Sequence, residues 1–241
     1  MTLARFDRAA AAALALATMA WVPAHAETLT FESLAPALYL DGEAFVESSY
    51  TYTVKGAFGL VDTVAACSSF ACPVGNATKF YYGVNDGALK LERSDLGSFG
   101  LLGFSAAYLA SQRYGAGFQA GKIVVLGKNA AGTAVATANF AFAPSVVSGF
   151  PFTTYAGAAL AAFADVRSVE FSACSYDAAG MCVNLNLNLS QFALDNVQVV
   201  PEPTTWLLWT AGLAGLAIAS RRRRAGAEPI HSAVAATGAL T

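Results

Sequence analysis

Between residues 27 and 200 the sequence contains neither histidine nor tryptophan. The two histidines of the chain are His25 and His231, and its three tryptophans are Trp21, Trp206 and Trp209. Without an imidazole, the central segment has no Ser-His-Asp or Cys-His hydrolytic centre and no imidazole-ligated zinc or copper site. Bases are scarce as well: eight Lys and Arg stand against thirteen Asp and Glu in 27–200, a net charge of −5. They are scattered rather than striped, which argues against a nucleic-acid partner. Helical periodicity is almost missing from the same segment. Chemistry is left to carboxylates, amides, tyrosines and four cysteines.

The long apolar runs sit at the two ends. Arg5 and Arg8 precede an apolar run over 9–22, and Ala24-His25-Ala26 places small residues at −3 and −1. This is the pattern of a secretory signal peptide over 1–26, cleaved after Ala26 and engaging the Sec translocon. At the other end Pro201-Glu202-Pro203 is followed by an uncharged run over 204–220 and then by Arg221, Arg222, Arg223 and Arg224. The prolines lack N–H donors and fix φ, so a ladder-paired strand cannot run through them and the backbone is expected to be extended and open to a protease. The 17 residues of 204–220 would span roughly 25 Å as a helix, slightly less than a ~30 Å hydrocarbon core. Trp206 and Trp209 suit the outer interface, and four arginines hold the other side in the cytoplasm. On these grounds alone the segment reads as a single-pass anchor.

The three elements in this order, behind a cleavable signal peptide, resemble the PEP-CTERM sorting signal over 201–224. This is the exosortase recognition sequence of exported proteins in Gram-negative bacteria that make exopolysaccharide. The resemblance implies that a membrane-embedded exosortase cuts near 201–203. The domain would first be held in the periplasm by its C-terminal helix, then reach the cell surface or the medium. Such signals usually end soon after the arginines, whereas here 225–241 follow, a small and polar stretch expected to be a disordered cytoplasmic tail.

The working protein is therefore expected to be one domain over 27–200, long enough for a proper core. Short β-rich runs separated by Gly, Asp and Asn occur at 28–31, 49–54, 79–82, 88–91, 122–126, 133–142, 166–173, 182–189 and 192–200. Alternation is clearest over 183–189, where Leu and Asn take opposite faces. Residues 156–163 suit one short helix or helical turn. Many short strands with few helices predict an all-β, two-sheet β-sandwich. Thr30-Phe31-Glu32-Ser33-Leu34 at its start and Phe192-Ala-Leu-Asp195-Asn196-Val197 at its end resemble the jelly-roll sandwiches that often precede PEP-CTERM signals and are distantly similar to carbohydrate-binding modules.

Four cysteines in an exported chain suggest disulfides. Local pairs, Cys67 with Cys72 and Cys174 with Cys182, each close a short loop; the crossed pairings and a four-thiolate metal site are the alternatives. The jelly-roll resemblance implies that Glu32 and Asp195 can share a structural calcium, with Asn196 or nearby carbonyls as further ligands; strand-end polar residues without a metal are the competing reading. A glycan-binding face needs exposed aromatics. Tyr50, Tyr52 and Tyr81 are the candidates, with Phe80 and Tyr82 nearby, while half-buried rings stabilising cross-strand pairs are the plainer reading. Thirteen acids also allow a glycosidase-like carboxylate pair, yet no motif marks one. The expected function is non-catalytic: a structural or adhesive protein of an exopolysaccharide or biofilm matrix. The alternatives are a module that binds exopolysaccharide and a permanently anchored single-pass protein.

Overall fold

Strands and short 3₁₀ turns account for the regular structure of the computed structural model, which describes residues 25–69, 71–183 and 189–201 together with Gly212. The strands are β1 Glu27–Leu29, β2 Ala37–Leu40, β3 Ala44–Glu47, β4 Tyr50–Lys55, β5 Phe58–Asp62, β6 Phe80–Val84 and β7 Ala88–Arg93. They continue as β8 Phe99–Tyr108, β9 Gly121–Lys128, β10 Ala134–Ala141, β11 Thr153–Ala156, β12 Ser168–Ser175 and β13 Phe192–Pro201. The helical turn expected at 156–163 is a 3₁₀ helix, Ala158–Phe163.

Two antiparallel sheets face each other, one in the order β11-β8-β13-β6-β5-β2 with β1 also paired to β13, the other in the order β10-β9-β12-β7-β4-β3. This is the two-sheet β-sandwich that the strand pattern predicts. Alternation explains which residues turn inward: Tyr50, Tyr52 and Val54 of β4 are buried while Thr51 and Thr53 are not. β9 repeats the pattern with Ile123 and Val125 inside, between Lys122, Val124 and Leu126. The shared core is rich in rings, among them Phe31, Tyr52, Tyr81, Phe104, Phe171 and Phe192, each fully buried. Burial of one such side chain stabilises the fold by about 1.5–3 kcal/mol.

Glycine makes room for two of these rings. Gly59 and Gly83 are paired across β5 and β6. A Cβ on Gly83 would lie 2.3 Å from the Phe192 ring, and one on Gly59 2.2 Å from the Tyr81 hydroxyl. The two aromatic rings occupy the space that side chains would otherwise fill.

The seven-stranded sheet is covered on its outer face as well. Phe80, Tyr82 and Val84 of β6, Ala107 and Leu109 in and just after β8, and Ala193 of β13 form a second apolar cluster beneath the Val64–Ser69 turn, with Cys67 among them. Apart from Leu102, which is exposed, β8 is therefore buried on both faces, which is why its sequence, FGLLGFSAAY, shows no alternation. The 182–189 strand expected from its Leu/Asn alternation falls mostly on residues 184–188, outside the described residues.

Candidate functional site

The last strand carries the irregularity on which the site is built. β13 pairs Asp195 with Ser105 but Gln198 with Gly103, so one extra residue is inserted, and Asn196 has a left-handed φ of 50°. This β-bulge lets both Leu194 and Val197 face the core, three positions apart, where a regular strand would turn one of them away. Before the bulge β13 pairs with β6, and after it with β1. Asp195 sits at that changeover.

The residue is only 1% exposed. Asn76 donates through Nδ2 to Asp195 Oδ2 at 2.6 Å, and the Asn196 backbone N–H donates to Oδ1 at 2.7 Å. Asn76 Oδ1 in turn accepts from the Thr78 N–H and hydroxyl at 2.8 and 2.6 Å. Burial pushes the Asp195 pKa up to about 6 despite these donors, and the charge of Glu32 adds to the rise. Glu32 accepts the Lys79 N–H at 2.6 Å, and the Lys79 ammonium lies on the carbonyls of Glu32 and Leu34 at 2.9 and 2.6 Å rather than on either carboxylate. The two acids named from the sequence thus belong to one corner. Above it opens a polar hollow of about 380 Å³ lined by Asn76, Thr78, Ser105, Phe152, Thr154 and Asn196, among others.

The corner is rich in oxygen, which suits a hard cation. Among the described residues no three side chains of His, Cys, Asp or Glu come together. A calcium ion here would depend on amide, hydroxyl or carbonyl oxygens besides Glu32 and Asp195.

The tyrosines expected to present a sugar-stacking face do not do so. Tyr50, Tyr52 and Tyr81 are each 0% exposed, because the alternation of β4 and β6 turns them into the space between the sheets. Tyr52 lies 5.2 Å from Phe31 and 4.9 Å from Phe45, and Tyr50 meets Phe99 edge-on at 5.4 Å. Phe80 and Tyr82 are buried on the opposite face of the same sheet. Tyr114 and Phe118 do reach solvent: their rings are stacked 4.1 Å apart and 9° from parallel, and Phe118 is 40% exposed. They lie in a loop, 111–120, which has no alternation by which to read them from sequence.

Of the two cysteine pairs, Cys174 and Cys182 form a disulfide. Cys67 and Cys72 are free thiols, a departure from the local pairing expected for them. The Cys67 Sγ lies 3.4 Å from the Tyr82 hydroxyl, and Cys72 points its thiol at the carbonyls of Val64 and Cys67. Burial pushes the Cys67 thiol up to about 12, which keeps it protonated and unreactive.

At the ends of the domain, Ala26 is exposed directly before β1, and Pro201 closes β13 opposite Phe99. Ala24, Glu202, Pro203, Arg221, Arg222, Arg223 and Arg224 lie outside the described residues, as does the span expected over 204–220 apart from Gly212. Among the described residues no helix is long and apolar enough to cross a membrane.

Residues 199–224 match the PEP-CTERM protein-sorting motif. No curated protein sequence matches the chain. Among solved structures it is similar to a DUF4465 family protein from Bacteroides caccae, at 15% identity over 74% of this chain and 100% of that one, with a TM-score of 0.48. It is also similar to a xylan-binding CBM22 domain from Paenibacillus barcinonensis, at 12% identity over 74% of this chain and 95% of that one (TM-score 0.35). A third is the family 32 carbohydrate-binding module of C. perfringens in complex with galactose, at 15% identity over 66% and 98% (TM-score 0.30).

Proposed function

We propose that this chain, which carries a PEP-CTERM motif at residues 199–224, is an exosortase-sorted surface or extracellular-matrix protein whose β-sandwich has a structural or adhesive role without catalysis. The observation that carries the reading is the junction of motif and domain. The motif begins inside the last strand, which closes at Pro201. A cut immediately beyond that residue would leave every pairing of β13 in place and free an intact sandwich. The signal peptide, the transient helix over 204–220, its arginines and passage through the Sec translocon complete the export route. The C-terminus of the native protein, located by mass in membrane and extracellular fractions, tests it against permanent anchoring.

Lack of catalysis is supported by the absence of histidine from 27–200 and by the placement of Asp195 inside a hydrogen-bonded network. Calcium at the Glu32–Asp195 corner belongs to the same proposal. A bound divalent cation would offset the repulsion between the two carboxylates and tie the first strand region to the last.

A second reading, a module that binds exopolysaccharide, is favoured by one observation: the parallel Tyr114–Phe118 pair with its outer ring exposed. The C–H faces of a pyranose pack on such a ring.

A further inference from the structure

Strand direction separates the ends of the sandwich. β13 runs antiparallel to β8, with Phe192 opposite Tyr108 and Pro201 opposite Phe99. The loop that follows β8, residues 111–120, is therefore at the end away from Pro201. β10 finishes with Ala141 opposite Lys122 near the start of β9, so the loop over 142–152 emerges at the same end.

The two loops are joined. Gly117 N–H donates to the Ser145 carbonyl at 2.7 Å, Ser145 N–H to the Phe118 carbonyl at 3.0 Å, and Phe118 N–H to the Ser145 hydroxyl at 2.9 Å. Ser145 is 4% exposed, so this stitching is internal. Phe150, fully buried, meets both stacked rings edge-on from below. The result is a fixed platform, with Phe118 40% and Val147 83% exposed.

Charge is distributed unevenly around it. Residues 96–164, which supply β8, β9, β10, β11 and both loops, contain no Asp or Glu, although the domain as a whole is acidic. The bases in that stretch are Arg113, Lys122 and Lys128. Lys128 is paired with Glu170 at 2.8 Å. Arg113, exposed and adjacent to Tyr114, has no ion-pair partner among the described residues, nor has Lys122. The acids that emerge at this end from other strands, Asp86 and Asp177, accept the backbone N–H groups of Ser190 and of Ala179 and Met181. An exposed ring in loops that carry Arg113 and no carboxylate of their own therefore suits a sugar that is itself negatively charged.

We propose that the 111–120 and 142–152 loops form a docking surface for an acidic polysaccharide, with a uronate ring on Phe118 and its carboxylate drawn to Arg113. This rests on the glycan-binding reading and adds to it the place and the ligand class. A neutral glycan can accept hydrogen bonds from Arg113 but gains no charge attraction from it.

The test uses the full-length chain in detergent, titrated calorimetrically with alginate oligosaccharides as the polyuronate and with dextran as the neutral comparison. Phe118→Ala, Arg113→Ala and Thr154→Val, the last in the polar hollow, are carried in parallel, each checked for an unchanged melting temperature. The expected result is binding of alginate over dextran, weakened roughly tenfold by Phe118→Ala. Arg113→Ala should also weaken it and reduce its salt dependence. Binding that survives both loop substitutions, or that is lost only in Thr154→Val, overturns the site. Equal affinity for dextran overturns the ligand class while leaving glycan binding standing. Binding of neither polymer overturns the glycan-binding reading together with this proposal.

Discussion

Asn76 and Asp195, 119 residues apart, are joined by a 2.6 Å hydrogen bond that fastens the loop before β6 to the bulge of the final strand. Asn76 is oriented for this by Thr78, which occupies its carbonyl oxygen with two donors. The carboxylate of a residue with 1% exposure and a second acid nearby is the least favourable ionised group of this corner.

Its pKa of about 6, against an ordinary 3.8, makes the folded domain hold the proton more tightly than the unfolded chain does. The contribution is fully present below about pH 4 and is lost as pH rises through about 6. Across that window the wild type should lose roughly 1–3 kcal/mol relative to Asp195→Asn, which lacks the titrating group. Thermal melts of the two proteins at a series of pH values measure this; parallel pH profiles would contradict it. With calcium at the corner, the ion raises the wild-type melting temperature at pH 7 but not that of Asp195→Asn, and equal shifts in both would place any calcium elsewhere.

The three core tyrosines should behave as packing residues. Their hydroxyls are buried and have no hydrogen-bond partner among the described residues. Tyr52→Phe is therefore expected to leave stability unchanged or raise it, because it removes a polar group that burial has stripped of water. Tyr52→Ala should cost about 3–5 kcal/mol through the cavity it leaves. Urea midpoints of the two variants decide the matter: similar midpoints would mean the ring is not held as described.

One disulfide and two thiols should be found in the native protein. Its mass should fall two protons below the fully reduced value, with the buried Cys67 alkylated only after denaturation. A deficit of four protons would show that 67 and 72 are also joined. Removing the Cys174–Cys182 bond should cost about 2–3 kcal/mol, since it closes a short loop.

The sandwich was legible because several of its strands bury one face, and β4 and β9 show it residue by residue. β8 shows no alternation for the opposite reason: apart from Leu102 it is buried on both sides, so its inward and outward positions do not differ in polarity. β2, β3, β5 and β11 are too short, at four or five residues, for a period to show. Glu32 and Asp195 could be singled out through the jelly-roll resemblance, which implies acids near the first and last strands. Asn76 and Thr78 could not, because a loop far away in sequence brings them there. Alternation in β4 shows only that Tyr50 and Tyr52 share a face; the second sheet determines that this face is closed, which leaves the tyrosines as packing residues rather than a sugar-binding surface. Tyr114 and Phe118 depend on two loops meeting through Ser145, a contact with no local sequence signature.

The most direct test of the export account is the intact mass of the native protein from membrane and extracellular fractions of the producing organism. The account predicts an extracellular species that begins at Glu27 and ends near residues 201–203. A protein found only in the membrane, with residues 221–241 still attached, would contradict it and make the C-terminal segment a permanent anchor.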